Sequence, residues 1–118
     1  MLKILMASIM ALSVFNLSFG EILDKGIACV MPQKSDGSYS SSAHRLRYVV
    51  VSGEYINEGT KSQNYNPNVN YAVAEWPNDQ FSVFDIAFDS ELLPVDLVTQ
   101  DERGRVHKIK KAYTTQCS

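Results

Sequence analysis

The sequence predicts an α+β fold in which a single helix packs on an antiparallel β-sheet that begins with an N-terminal β-hairpin. Three observations lead to this prediction: helical spacing of apolar residues across 43–52, short apolar segments between turns from residue 71 onwards, and an Asp-Gly turn at 36–37. The chain has no internal repeat, and its 118 residues are enough for one domain only.

The predicted helix covers residues 43–52. Ala43, Leu46 and Val50 share one helical face in this segment, and Gly53, directly after it, is a residue type at which helices commonly end. The valines at 49–51 are equally suited to a strand, since β-branched side chains pack well on an extended backbone. A helix is therefore the prediction, and a strand is the alternative.

The remaining elements are predicted to be antiparallel strands. Cys29–Met31 precedes the Asp-Gly turn and forms one arm of the N-terminal hairpin. The alternation of apolar residues shifts by one between Val83 and Phe84, which indicates a β-bulge, and Gly104 closes a later turn. The four downstream strands are expected at residues 71–76, 81–88, 95–99 and 105–109.

Residues 1–20 have the pattern of a secretory signal peptide. Lys3 precedes an apolar run without charge, and Ser18 and Gly20 are the small residues that signal peptidase requires before a cleavage site. The run is shorter than the ~20 apolar residues of a membrane-spanning helix, with an uncleaved anchor as the alternative. We therefore expect a signal peptide followed by one secreted domain, residues 21–118.

Composition disfavours several classes of protein. The full chain has a net charge of −2, and because Lys3 is the one charged residue of the leader, residues 21–118 carry −3. An acidic domain has little general attraction for phosphate polymers or anionic membranes. Histone-like binders, cationic antimicrobial peptides, multidomain enzymes and transmembrane proteins are therefore disfavoured, and a soluble secreted domain is the expectation.

The two cysteines, Cys29 and Cys117, are predicted to form a disulfide. In an exported protein an even, well-separated pair is most simply a structural bridge, here tying the first strand to the last. A catalytic cysteine is the alternative, although Cys117 is too close to the end of the chain to sit well in a cleft. A zinc site would need more ligands than His44 and His107 add, so we predict no metal and no cofactor.

Few residues qualify as catalytic groups. Glu75 lies on an apolar strand, where a carboxylate can serve as a general base, but an outward-facing position in an alternating strand is the favoured interpretation. His107 on the last hairpin can serve as a general acid, and a solvated strand histidine is favoured there. His44 is expected at the surface.

Candidate binding groups come from two segments. Residues 54–70 form a long polar stretch that is either disordered or a working loop, and its tyrosines either contact a partner or pin the loop to the core. Exposure and loop length place the expected partner contacts in this loop and near the hairpin turn at 101–105. Residues 103–111 carry a basic run that either contacts RNA or a protein or solvates an edge strand. The binding candidates are Tyr65, Asn66, Asn68, Tyr71, Arg103, Arg105 and Lys108, and the basic run also includes Lys110 and Lys111.

Four features together resemble the small fungal guanyl-specific ribonucleases. They are Tyr39-Ser40-Ser41-Ser42, Tyr65 in the polar loop, Glu75-Trp76-Pro77, and the hairpin around Gly104. The resemblance implies a microbial ribonuclease-like fold in which Glu75 occupies the position of the catalytic base. Three positions depart from the family pattern: Pro67 and Lys111 stand where the family has histidines, and Asp96 stands near its phosphate-binding arginine. A base without an acid or an anion clamp loses most of the catalytic contribution.

A secreted ribonuclease fold with a dismantled site is similar to the ribonuclease-like effectors of powdery mildew fungi. Ile27-Ala28-Cys29 stands where those proteins carry an aromatic-x-Cys motif, with an aliphatic residue in the aromatic position. The resemblance implies a monomeric, catalytically inactive virulence effector of a plant pathogen, delivered into the host cytoplasm. There it would bind host protein, or more weakly RNA, and modulate immunity. An immune receptor of the plant could recognise it, which would make it an avirulence protein. One alternative is an active secreted fungal ribonuclease with Glu75 as base and His107 or Lys111 as acid, which requires a cleft where Glu75, Tyr65 and His107 converge. The other is a secreted structural or inhibitor module on an unrelated α+β fold.

Overall fold

The computed structural model describes residues 22–87, 90–112 and 117. The predicted signal peptide and the end of the predicted strand 81–88 therefore lie outside the described residues. Within them the chain forms one helix and six strands, which confirms the α+β class. In chain order the elements are β1 (Asp24–Pro32), β2 (His44–Ser52), α1 (Gly53–Thr60), β3 (Asn70–Glu75), β4 (Phe81–Asp85), β5 (Asp96–Gln100) and β6 (Val106–Lys111).

The six strands form one antiparallel sheet in the order β4-β3-β2-β1-β6-β5. The sheet curls until its two edge strands, β4 and β5, approach each other. Its inner face closes around one apolar core, and α1 covers a second core on the outer face. The inner core contains Ala28, Val30, Leu46, Tyr48, Val50, Ala72, Ala74, Phe84, Ile86, Leu93 and Ile109, and the outer core Val49, Val51, Tyr55, Ile56, Val73, Phe81 and Val83.

The helix predicted at 43–52 is wrong, because this segment is β2. β2 lies between β1 and β3 and is buried on both faces, so its apolar residues follow one another without the simple alternation of a half-buried strand. Leu46 and Val50 belong to the inner core, whereas Val49 belongs to the outer one. The spacing that imitates a helical face thus arises from a central strand.

The single helix begins where the sequence predicted it to end. Ser52 caps α1, its Oγ accepting a hydrogen bond from the Tyr55 N–H at 3.1 Å. Gly53 is the first helical residue, and a Cβ at this position would lie 2.0 Å from the carbonyl oxygen of Asn66. Glycine is therefore required by the close approach of the 61–69 segment, which is a tertiary contact that local spacing does not reveal.

The β-bulge predicted in β4 is absent. Val73 pairs with Val83 and Ala72 with Phe84 in an uninterrupted ladder. Val83 faces the outer core and Phe84 the inner one, so both are buried. Because these two buried residues are adjacent, the alternation of apolar residues in the sequence shifts by one, as it would at a bulge. The strand ends at Asp85 rather than at residue 88.

The predicted turns and disulfide are confirmed. Gly37 adopts a left-handed φ of 89° in the connection between β1 and β2, and Gly104 adopts 78° in the β5–β6 turn. Cys29 on β1 is bonded to Cys117, across 88 residues of sequence. Among the described residues, no helix is both long and apolar enough to traverse a lipid bilayer.

Candidate functional site

Glu75 is held in an ion pair at the end of β3. The register places Arg47 of β2 directly beside it, and the Arg47 guanidinium binds the Glu75 carboxylate. The Glu75 side chain is only 17% exposed. It stands two residues after Val73 and therefore projects to the outer face of the sheet. The carboxylate is already occupied by a cation of this chain.

His107 is buried rather than solvated, which corrects the sequence-based expectation. It is 3% exposed, and its ring meets that of Phe84 edge to face at 5.1 Å. Its Nδ1 lies 3.0 Å from the carbonyl oxygen of Arg105. Since Phe84 belongs to the inner core, His107 projects to the inner face.

The structure does not bring the three suspected ribonuclease groups together. Glu75 and His107 project from opposite faces of the sheet, while Tyr65 packs against the outer core. A general base and a general acid must both reach the same substrate, and side chains on opposite faces of a packed sheet do not. His44, which was expected at the surface, is exposed on β2, and its ring meets that of Trp76 at 5.0 Å.

Residues 54–70 do not form one long loop, because α1 takes the first part. The remainder is anchored: the Asn57 side chain donates to the Tyr65 carbonyl at 2.8 Å and accepts from the Tyr65 N–H at 3.1 Å. The rings of Tyr65 and Tyr71 meet edge to face at 5.3 Å, and the Tyr71 hydroxyl accepts from the Asn66 N–H at 3.2 Å. Asn68 is exposed on this loop. The tyrosines thus pin the loop to the core.

The predicted basic run does not form one patch. Arg105 is bound to Asp101 at 3.0 Å, and Lys111 turns inward toward Asp24 at 3.5 Å. Lys108 lies on the β6 face opposite to His107, because neighbouring strand residues alternate. Arg103 and Arg105 are both exposed at the β5–β6 turn.

A groove that the sequence did not predict runs along the free edge of β4, between the tyrosine-bearing loop and the β5–β6 turn. We call it the seam groove. Glu102 stands in its middle, with a depression on either side. One depression is lined by Asn64, Tyr65, Tyr71, Val83, Asp85, Asp101 and Glu102, and the other by Trp76, Asn78, Gln80, Phe81, Ser82, Glu102, Arg103 and Arg105. No spacing or motif in the sequence marks Glu102.

Charges of both signs line the seam groove around Glu102, with Asp85 and Asp101 on one side and Arg103 and Arg105 on the other. Although Glu102 is exposed as a whole, its carboxylate turns inward and accepts a hydrogen bond from the Val83 N–H at 3.1 Å. Burial of the carboxylate, and the nearby charge of Asp101, raise the pKa of Glu102. Burial also raises the pKa of Tyr65 to about 12, with further contributions from Glu102, Tyr71 and Asp85.

The described residues contain no group of three or more His, Cys, Asp or Glu side chains arranged to hold a metal ion. The seam groove and the loop beside it present hydrogen-bonding groups, charges and aromatic rings. Comparison with protein-family models, with curated proteins and with solved structures finds no match to this chain.

Proposed function

We propose that residues 21–118 form a secreted, ribonuclease-like but catalytically inactive effector that acts inside host plant cells by binding. Its host target is a protein, and binding to this target modulates host immunity. An intracellular immune receptor of the plant in turn recognises the effector. The proposal takes its biological setting from the resemblance to ribonuclease-like effectors, and it takes the loss of catalysis from the arrangement of Glu75 and His107.

One observation carries the proposal: neither suspected acid, His107 or Lys111, projects to the face of the sheet that carries Glu75. The Glu75 carboxylate is bound by Arg47, and His107 is buried on the other face of the sheet. General acid and general base each contribute about 10²–10⁴-fold to a proton-transfer reaction, so their separation removes several orders of magnitude. The active-ribonuclease alternative requires that these groups converge, and the geometry does not favour it.

The loss of catalysis is tested with RNA. Purified residues 21–118 and the Glu75→Gln variant, which keeps the shape of the side chain and removes its charge, are incubated with single-stranded RNA. We expect both proteins to show the same background level of cleavage. Cleavage after guanine that Glu75→Gln abolishes would overturn the proposal in favour of the active ribonuclease.

The binding role is tested in plant cells. Residues 21–118 are expressed with an affinity tag, and co-purifying proteins are compared between the wild type and two surface variants. Asn64→Arg changes a residue beside the seam groove. Ser41→Arg changes an exposed residue of the β1–β2 connection and is the matched control. We expect a specific partner to be lost with Asn64→Arg and retained with Ser41→Arg. Retention with both variants would place the contact surface elsewhere, and loss of the partner on nuclease treatment would make RNA the ligand.

A further inference from the structure

The two edges of the curled sheet are joined by side chains. β4 and β5 are the outermost strands, and no backbone-to-backbone hydrogen bond connects them in the described parts of the chain. Two side-chain bonds cross the gap instead: Thr99 Oγ1 donates to the Asp85 carbonyl, and Glu102 Oε1 accepts from the Val83 N–H. We call this junction the seam. It closes the sheet where an ordinary barrel would have a strand ladder.

The Glu102 bond occupies an edge donor of β4. Val83 pairs with Val73 of β3 on one side, and its N–H points to the opposite side, where an additional strand would bind. When Glu102 moves away, this N–H is exposed together with the tyrosine-lined part of the groove. The state of Glu102 therefore decides whether the β4 edge is closed or open.

The surroundings of Glu102 penalise its ionised form. On its own turn Glu102 is flanked by Asp101, Arg103 and Arg105. The rest of the lining consists of Asp85 of β4, Tyr71 of β3 and Tyr65 of the loop. The Arg105 guanidinium is already bound to Asp101, and the Arg103 side chain is exposed to solvent. An ionised Glu102 is thus partly desolvated and lies beside two other carboxylates, and both effects disfavour its charge. The Val83 N–H and the two arginines favour the charge and offset part of this cost.

We propose that Glu102 is a protonation-controlled latch, which holds the seam closed when its side chain is neutral and loosens the seam when its side chain is ionised.

The direction of this effect follows from linkage. The closed seam raises the pKa of Glu102 through burial and the Asp101 charge, and the hydrogen bonds from Val83 and from its own N–H, with the Arg105 charge, do not cancel this. In the open seam the carboxyl group is in water and has its ordinary pKa. The closed state therefore binds the proton more tightly, so lowering the pH favours closure and raising it favours opening.

The experiment measures hydrogen exchange of the Val83 amide by NMR between pH 4.5 and 7.5. The protein is the full chain, secreted from a eukaryotic host so that leader removal and disulfide formation take place during export. Protection factors are corrected for the intrinsic pH dependence of exchange, and the amides of β2 serve as the internal reference for global stability. Glu102→Gln keeps an uncharged acceptor, and Glu102→Ala removes the acceptor.

We expect the protection of Val83 in the wild type to rise as the pH falls, with a ceiling of about tenfold per unit of difference in pKa between the closed and open states. Glu102→Gln should show high protection without this pH dependence, and Glu102→Ala should show low protection at every pH. Protection of Val83 that is independent of pH in the wild type, or equally pH-dependent in Glu102→Gln, would overturn the proposal.

Discussion

The sheet has two kinds of junction, and they differ in what holds them. Around β1, backbone ladders run to β2 on one side and to β6 on the other, and Cys29 adds a covalent bond to the end of the chain. At the seam, β4 and β5 meet through side chains of Thr99 and Glu102. The β1 region therefore fixes the fold, whereas the seam can change without breaking a ladder.

This difference assigns the two regions separate roles. Backbone ladders in a buried sheet open only with much of the structure, while a side-chain junction opens locally at a small fraction of the unfolding free energy. The loop that carries Tyr65 and the turn that carries Glu102 both border the seam. The proposed contact surface is thereby separated from the residues that maintain the domain.

The largest effect is expected from the disulfide. Replacing both Cys29 and Cys117 with alanine removes a cross-link that spans 88 residues, for which the chain-entropy model gives about 4–5 kcal/mol of unfolding free energy. Urea unfolding of the variant and of the wild type, each with and without reductant, measures this loss. The double variant should be insensitive to reductant. A loss below about 1 kcal/mol would show that the β1–β6 ladder alone determines the stability of this region.

A core substitution in β6, the strand that pairs with β1, comes next. Ile109 of β6 is 2% exposed in the inner core, and Ile109→Ala should lower the unfolding free energy by about 3 kcal/mol, since it removes buried methyl groups and leaves a cavity. Val98→Ala on the edge strand β5 is the matched control, because Val98 is 56% exposed and its loss should cost less than about 0.5 kcal/mol. Equal losses for the two variants would contradict the proposed contrast between the core and the edge.

The parts of the fold that the sequence predicted are those with strong local signals. The segments beginning at residues 71, 95 and 105 have clear turns at their ends, and all three are strands within one or two residues of the expected bounds. The segment 43–52 failed because a strand buried on both faces places apolar residues next to each other, and that pattern also contains helical spacing. Only the position of β2 between two other strands distinguishes the two possibilities.

The candidate site was predictable only where a residue stands in a recognisable motif. Glu75 was singled out by its place in Glu75-Trp76-Pro77, but its partner Arg47 is 28 residues away and follows from the β2–β3 register. Glu102 carries no motif, and its environment exists only because the curled sheet brings the β5–β6 turn against β4. Local sequence identifies chemical groups, whereas long-range pairing decides which groups meet.

A smaller effect is expected at the loop that borders the seam. Asn57→Ala removes both hydrogen bonds between the Asn57 side chain and the Tyr65 backbone, and should lower the unfolding free energy by about 1–2 kcal/mol. Exchange of the Tyr65 amide should become faster, while the amides of β1 keep their relative protection. Asn64→Ala, at an exposed position of the same loop, should leave both quantities unchanged. Faster exchange throughout β1 would show that the loop and the β1 region are not independent.

The smallest effect at neutral pH belongs to Tyr65, and it becomes visible in alkali. The folded pKa of about 12 lies above the ordinary tyrosine pKa of 10.0, so the unfolded chain ionises first and the contribution of Tyr65 to stability is lost as the pH rises from about 10 through 12. Tyrosinate absorbance after a rapid pH jump should show a transition near pH 12 that Tyr65→Phe removes and Tyr39→Phe retains. A transition near pH 12 that survives in Tyr65→Phe would contradict the assignment of the raised pKa to Tyr65.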